Sequence, residues 1–168
     1  MFNEERLRQY IKTNEGSRPG VYDDSLDIPT IGVGFNLRRE DAKDKITQLG
    51  LSYDEVLDGH VKLSAEQVDS LLDSDIENAI NIVKSIFSNF DQITDDRQIV
   101  LIDLAFNMGK TTLLEFKNMI KAILSSEWEQ AADDLQKSKW YNEVGRRGKC
   151  NVQALRSGSL SQNCISGV

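Results

Sequence analysis

The stretch that begins at Ser64 constrains this chain more than any other. Ser64-Ala65-Glu66-Gln67 has the form of a capping box, with Ser64 as N-cap and Gln67 at the third helical position. Val68, Leu71, Leu72, Ile76, Ala79, Ile80, Val83 and Ile86 then recur at helical spacing. The pattern predicts one amphipathic helix of about six turns. Sequence signals on its two sides differ: β-forming segments occur before it, and only helical periodicity after it. A helix so placed reads as a connector between two lobes, a reading compatible with its being simply a long packed helix.

Upstream, residues 3–14 read as a first helix. Asn3 suits its cap, Glu4 and Glu5 its first turn, and Leu7, Tyr10 and Ile11 share a face. Gly16, Pro19 and Gly20 end it. Val21-Tyr22 and residues 30–35 then read as short strands on either side of a polar connection, 23–29, which predicts a small antiparallel sheet. Residues 39–48 read as a short helix closed at Gly50.

Downstream, Thr94-Asp95-Asp96 is placed to cap a helix whose stretch 99–108 is apolar almost all round, as a helix at the centre of a lobe must be. Gly109 ends it. Residues 113–124, 128–136 and 151–155 read as further short amphipathic helices. Phe106, Phe116, Trp128 and Trp140 are the bulky core or cleft-wall candidates, and most aromatics at such spacing are core. The fold class expected is α+β, mostly helical.

Composition narrows the function. The chain has 168 residues and 19.0 kDa, enough for a real core in one domain or two small lobes. Its formal charge of −7 argues against nucleic acid and anionic membranes as partners. Arg146, Arg147, Lys149 and Arg156 nevertheless gather near the C-terminus, so a local basic wall is compatible with the acidic total. No apolar run is long enough to span a bilayer, and the first residues have no apolar core, so neither a membrane span nor a signal peptide is expected. The chain is expected to be made as a soluble protein. Cys150 and Cys164 are too few for a zinc site. A bridge between them would tie the C-terminal tail to the body; two reduced thiols are the alternative.

The chemistry-bearing residues cluster early. Eight residues separate Glu15 from Asp24, and five separate Asp24 from Thr30. Glu15 stands where a helix ends and Thr30 opens a Gly-rich, β-branched segment, an arrangement able to put two carboxyl groups and a hydroxyl on opposite rims of one cleft. Two such carboxyls are the minimum equipment for cleaving a glycosidic bond, one to protonate the leaving oxygen and one to act on the opposite face of the sugar. Glu15 beside apolar Ile11 suits the general acid. Asp24 in an exposed turn should stay ionised, and the Thr30 hydroxyl is able to hold a water with it. Inverting pairs stand roughly 6.5–9.5 Å apart and retaining pairs about 5–5.5 Å, and the residues alone leave both open. Asp23 and Asp27 are rivals for the second carboxylate, but 23–27 lacks the ligand spacing and closing glutamate of a calcium loop. Gly32-Val33-Gly34 lacks the third glycine and following helix of a nucleotide fingerprint. It reads instead as a strand that lets a sugar chain approach the backbone. No metal and no cofactor are expected.

The Glu15/Asp24/Thr30 spacing, Thr30-Ile31-Gly32-Val33-Gly34, the long helix after Ser64, Ala105-Phe106-Asn107-Met108-Gly109, Trp140-Tyr141-Asn142 and Leu155-Arg156-Ser157-Gly158 occur in one order along nearly the whole chain. In that order they resemble the T4-phage-type lysozymes. The resemblance implies a sheet-containing lobe (14–63), a connecting helix (64–86) and a helical lobe (87–168 with 1–13), with the cleft between the lobes. It implies a monomeric muramidase acting on bacterial peptidoglycan with inversion, on the wall side of the membrane; the alternatives are a non-catalytic cell-wall glycan-binding module and a chitin-directed hydrolase of the same architecture. Glu15, Asp24 and Thr30 would be catalytic, and Gly34, Asn36, Phe106, Asn107, Phe116 and Arg147 substrate-binding. Arg147 matches the position of an arginine the family keeps near the glutamate. Its charge would oppose desolvation of Glu15, so the direction of any Glu15 shift stays open. Two departures stand out. The family often has a histidine where this chain has Phe35, paired to an aspartate matching Asp75; with Phe35 that ion pair cannot form, so Asp75 loses that partner and the lobe needs other stabilisation. The acidic total also contrasts with basic relatives. The lone His60 reads as a solvated loop residue.

Overall fold

Ser64 and Gln67 close the expected capping box: the Ser64 N–H donates to Gln67 Oε1 at 2.8 Å and the Gln67 N–H to Ser64 Oγ at 3.1 Å. The structure, a computed structural model, describes residues 1–168. It has ten helices and one three-stranded antiparallel sheet of order β1-β2-β3. The fold is α+β and mostly helical. Two units are distinguished, residues 15–75 and residues 1–14 with 76–168. The capped helix, α4 (Ala65–Ile86), carries residues of both.

The sheet unit contains β1 (Arg18–Asp23), β2 (Pro29–Gly32), β3 (Phe35–Asn36), α2 (Ala42–Gln48) and α3 (Tyr53–Leu57). Pro19 is tolerated because β1 is an edge strand, where a missing N–H leaves no ladder bond unmade. Its carbonyl accepts from the Leu63 N–H at 2.8 Å. β1 is longer than the Val21-Tyr22 expected, and the single strand expected over 30–35 is two strands. Gly32 and Gly34 take φ of +62° and +67°, turning the chain back so that Ile31 faces Phe35. Ile31, Phe35, Leu37, Ile46 and Val56 are fully buried.

Phe35 leaves Asp75 partnered after all. Arg39 donates to Asp75 Oδ2 at 2.7 Å and to both oxygens of Asp41 at 2.8–2.9 Å, while its guanidinium lies 4.3 Å above the Phe35 ring centre. The ring supplies a face for the cation that bridges to Asp75. Residues 37–41 form turns, with the Arg39 N–H donating to the Asn36 carbonyl and the Ala42 N–H to the Arg39 carbonyl, so α2 begins at Ala42 rather than at 39.

The helical unit is built on α5 (Asp95–Leu114), whose residues 98–105 are buried without a break. At Gly109, φ 76° and ψ 171° interrupt it, so 110–114 form a separate turn. Leu113 thus belongs to that turn, and α6 runs Lys117–Leu124. Then follow α7 (Trp128–Gln136), α8 (Lys139–Val144), α9 (Arg146–Ser157) and α10 (Gln162–Ser166), while α1 (Glu4–Glu15) contributes its residues up to Asn14. A disulfide joins Cys150 of α9 to Cys164 of α10. Thr13 Oγ1 donates to the Ile165 carbonyl at 2.7 Å, so the C-terminal helix is tied to α1 as well.

The interior of this unit is not wholly apolar. Asp103 is fully buried and receives Arg147 through two hydrogen bonds, at 2.6 and 3.0 Å, and Asn151 at 2.9 Å. Tyr10 donates to Asn151 Oδ1 at 2.6 Å. Burial, reinforced by the Asp103 charge, pushes the Tyr10 hydroxyl well above the ordinary phenol range.

Candidate active site

Glu15 is the last residue of α1, and Gly16, at φ +77°, ends the helix immediately after it. The side chain returns to the sheet turn. A Cβ built on Gly34 would stand 2.7 Å from Glu15 Oε2 and 3.1 Å from its carboxyl carbon. Gly34 therefore meets two requirements at once: a positive φ, and an empty side-chain position over which the carboxyl lies. Glu15 and Gly34 are both partly exposed.

Asp24 holds the turn that joins β1 to β2. Its Oδ1 accepts from the N–H groups of Leu26 at 2.8 Å and Ile28 at 3.0 Å, while its own N–H donates to the Ile28 carbonyl. This is an Asx-type turn, in which a short carboxylate replaces a backbone acceptor. Asp27 sits at the tip with φ +59°, and Asp23, Leu26 and Asp27 are exposed. Of the three aspartates, Asp24 is the one whose carboxylate is fixed by main-chain donors.

Thr30 lies on the middle strand, 4% exposed, with its hydroxyl donating to the Ile28 carbonyl at 2.9 Å. That bond uses the hydroxyl's one proton and leaves its lone pairs to accept. Thr30 pairs with Tyr22 on β1 and with Asn36 on β3. Paired residues of an antiparallel sheet project from the same face, so Tyr22, Thr30 and Asn36 form one row across the three strands. Asn36 Oδ1 accepts from the Arg38 N–H at 2.7 Å.

Tyr22 and Arg18 were not among the residues singled out from sequence. The Arg18 guanidinium stands 4.4 Å over the Tyr22 ring centre. Burial pushes the Tyr22 hydroxyl above the ordinary phenol range; Arg18 opposes, and Glu15 and Asp24 both add to the rise. The phenol thus senses the two carboxylates together. A signal for it was present in the alternation of β1, which puts Tyr22 on the face opposite to Val21.

The remaining candidates belong to the helical unit. Phe106 is half-buried near the break in α5, and the exposed Asn107 accepts from Trp140 Nε1 at 2.7 Å. Phe116 lines a shallow cavity of about 300 Å³ with Lys117, Asp134 and Ser138. Arg147 is buried and paired with Asp103. Asp103, which holds Arg147 and Asn151, was hidden within an apolar run.

The family model described as phage lysozyme matches residues 12–157. The chain is similar to "Probable T4-type lysozyme 2" of Dictyostelium discoideum, 26% identical over 171 residues that cover 93% of this chain and 96% of the relative. "Probable T4-type lysozyme 1" of the same organism is 25% identical, over 92% and 96%. The pre-baseplate central spike protein Gp5 of Enterobacteria phage T4 is 24% identical over 92% of this chain, a match that spans 28% of that longer protein.

Proposed function

Since the chain belongs to the phage lysozyme family, which makes it a lysozyme-like glycan hydrolase, we propose that it is a muramidase. It hydrolyses the β-1,4 bond between N-acetylmuramic acid and N-acetylglucosamine in bacterial peptidoglycan. Glu15 is the general acid that protonates the leaving oxygen. Asp24 and Thr30 hold and polarise a water on the opposite face of the sugar, giving single displacement with inversion.

The observation that carries this reading is the preparation of three side chains within 15–36. Glu15 lies over a glycine, Asp24 is fixed by two backbone donors, and Thr30 has spent its proton on Ile28. A hydroxyl so committed serves as an acceptor for water and is a poor nucleophile. In Asp24, an oxygen that accepts two main-chain N–H bonds has its orientation set, as a water-positioning carboxylate requires. In the same reading, Gly34 in the β2–β3 turn and Asn36 on β3 are the glycan contacts of the sheet unit, and Phe106, Asn107, Phe116 and Arg147 are those of the helical unit. Arg147 does so from a fixed position, because Asp103 holds it.

The test is digestion of purified peptidoglycan, with the released muropeptides separated and the new reducing end identified. N-acetylmuramic acid at that end, first formed as the α-anomer from the β-linked chain, is expected. An N-acetylglucosamine end would overturn the bond assignment, and initial β-anomer would overturn inversion. Binding to the wall without release of fragments would overturn catalysis itself.

A further inference from the structure

We propose that Tyr22 is a further saccharide-binding residue of this site, its hydroxyl donating a hydrogen bond to a neutral sugar oxygen, a hydroxyl or an acetamido carbonyl. The proposal rests on the glycan-cleaving reading above and adds to it a residue which that reading does not need.

Three observations converge on Tyr22. It completes the cross-strand row with Thr30 and Asn36, so its side chain leaves the sheet on the same face as theirs. Its ring is seated beneath the Arg18 guanidinium at 4.4 Å, which limits the orientations of a side chain that is only partly buried. Its hydroxyl donates to no protein group, unlike those of Tyr10, which meets Asn151, and Tyr53, which meets the Leu37 carbonyl. A phenol with an aligned ring and an uncommitted proton, on the face that carries Thr30, is a donor waiting for an acceptor.

The electrostatics choose the kind of acceptor. Burial and the nearby carboxylates of Glu15 and Asp24 keep the hydroxyl protonated at neutral pH. The same carboxylates disfavour a negatively charged acceptor beside it. Neutral sugar oxygens fit both conditions. Aromatic side chains also offer a flat apolar surface to the faces of sugar rings, but here Arg18 covers one face of the ring, which leaves the hydroxyl edge as the specific contact.

Tyr22→Phe keeps the ring and the Arg18 contact and removes only the hydroxyl. Wild type and variant are compared on soluble, uncrosslinked peptidoglycan strands, with kcat and KM measured separately and the melting temperature recorded. A lost neutral hydrogen bond predicts a KM raised about three- to tenfold, with kcat within about twofold and an unchanged melting temperature. Unchanged KM in an active pair overturns the Tyr22 assignment and leaves the muramidase reading standing. So does a fall in kcat alone, or a change that tracks a lowered melting temperature. Failure of the wild type to cut the strands removes both. A second substitution, Arg18→Gln, frees the ring and should raise KM in the same direction by a smaller factor; lack of any effect there would show that the ring is not held from above.

Discussion

The two units hold their polar groups by opposite means. In the sheet unit, side chains of the candidate site rest on main chain: Asp24 on the Leu26 and Ile28 N–H groups, Thr30 on the Ile28 carbonyl, and Glu15 over the bare Gly34. Of these three side chains only that of Thr30 is buried. In the helical unit the polar groups are sunk in the core and satisfy one another, Asp103 with Arg147 and Asn151, and Asn151 with Tyr10. A buried network of that kind fixes one packing arrangement and penalises the loss of any member. Chemistry is therefore expected to be separable from stability in the first unit and inseparable from it in the second.

The largest expected effect tests the first half of that contrast. Glu15→Gln preserves shape and removes the acidic proton, so turnover of peptidoglycan should fall by at least about a hundredfold. The urea midpoint should stay at the wild-type value. A variant that still digests walls would end the general-acid assignment. One that unfolds early would mean Glu15 is structural, and the contrast between units would fail. Asp24→Asn sharpens the point: the amide oxygen is still able to accept from Leu26 and Ile28, so the turn should survive while activity drops. Equal losses for Asp23→Asn and Asp27→Asn would show that the turn's total charge, and not Asp24, matters.

The second half is tested by Asp103→Asn. It leaves the buried Arg147 guanidinium without its bidentate carboxylate, and breaking such a pair typically costs about 3–5 kcal/mol. Chemical denaturation should register that loss directly, and a cost below about 1 kcal/mol would show that the network contributes little. The disulfide comes next in size. Cys150 and Cys164 are 14 residues apart, and a loop of that length predicts about 3 kcal/mol from loss of unfolded-chain entropy. Reductant should lower the wild-type melting temperature to that of Cys150→Ala/Cys164→Ala and leave the double variant unmoved.

Regularity decided what the sequence made legible. The capping box and six-turn period of α4 and the nearly continuous apolar run of α5 are repeated signals, and the structure has both helices. The spacing of Glu15, Asp24 and Thr30 was also readable, because glycines and a proline mark the turns that separate them. Short elements were lost. Five- or six-residue helices α3, α8 and α10 have too few turns to show a period, although Ser52, Ser138 and Ser161 each cap one through the side-chain oxygen. A serine followed three residues later by its N–H partner was the signal to read. Asp103 and Tyr22 were missed for a different reason. Each draws its role from partners distant along the chain, 44 residues away for Arg147 and on a neighbouring strand for Thr30.

The smallest expected effect concerns the ion pair between Arg39 and Asp41. Arg39 holds Asp41 by two hydrogen bonds, and these bonds keep the Asp41 carboxyl below its ordinary range against a smaller opposing effect of burial. With the folded value below the unfolded one, the contribution is complete above the unfolded value of about 3.9. It declines as pH falls, because the unfolded chain takes up the proton first, and it is gone once pH passes below the folded value. Asp41 is the N-cap of α2 but makes no side-chain capping bond, so Asp41→Asn removes the pair and little else. Its side chain is 46% exposed, and solvent screening limits the effect to about 0.5 kcal/mol at neutral pH. Urea unfolding at stepped pH should show the wild type ahead by that margin at pH 7 and the two curves converging below pH 4. A gap that persists at pH 2 would assign the difference to the helix start instead of the ion pair. In that case, the stability of the sheet unit would not depend on this pair's charge, and Arg39 would act chiefly through Asp75 and the Phe35 ring.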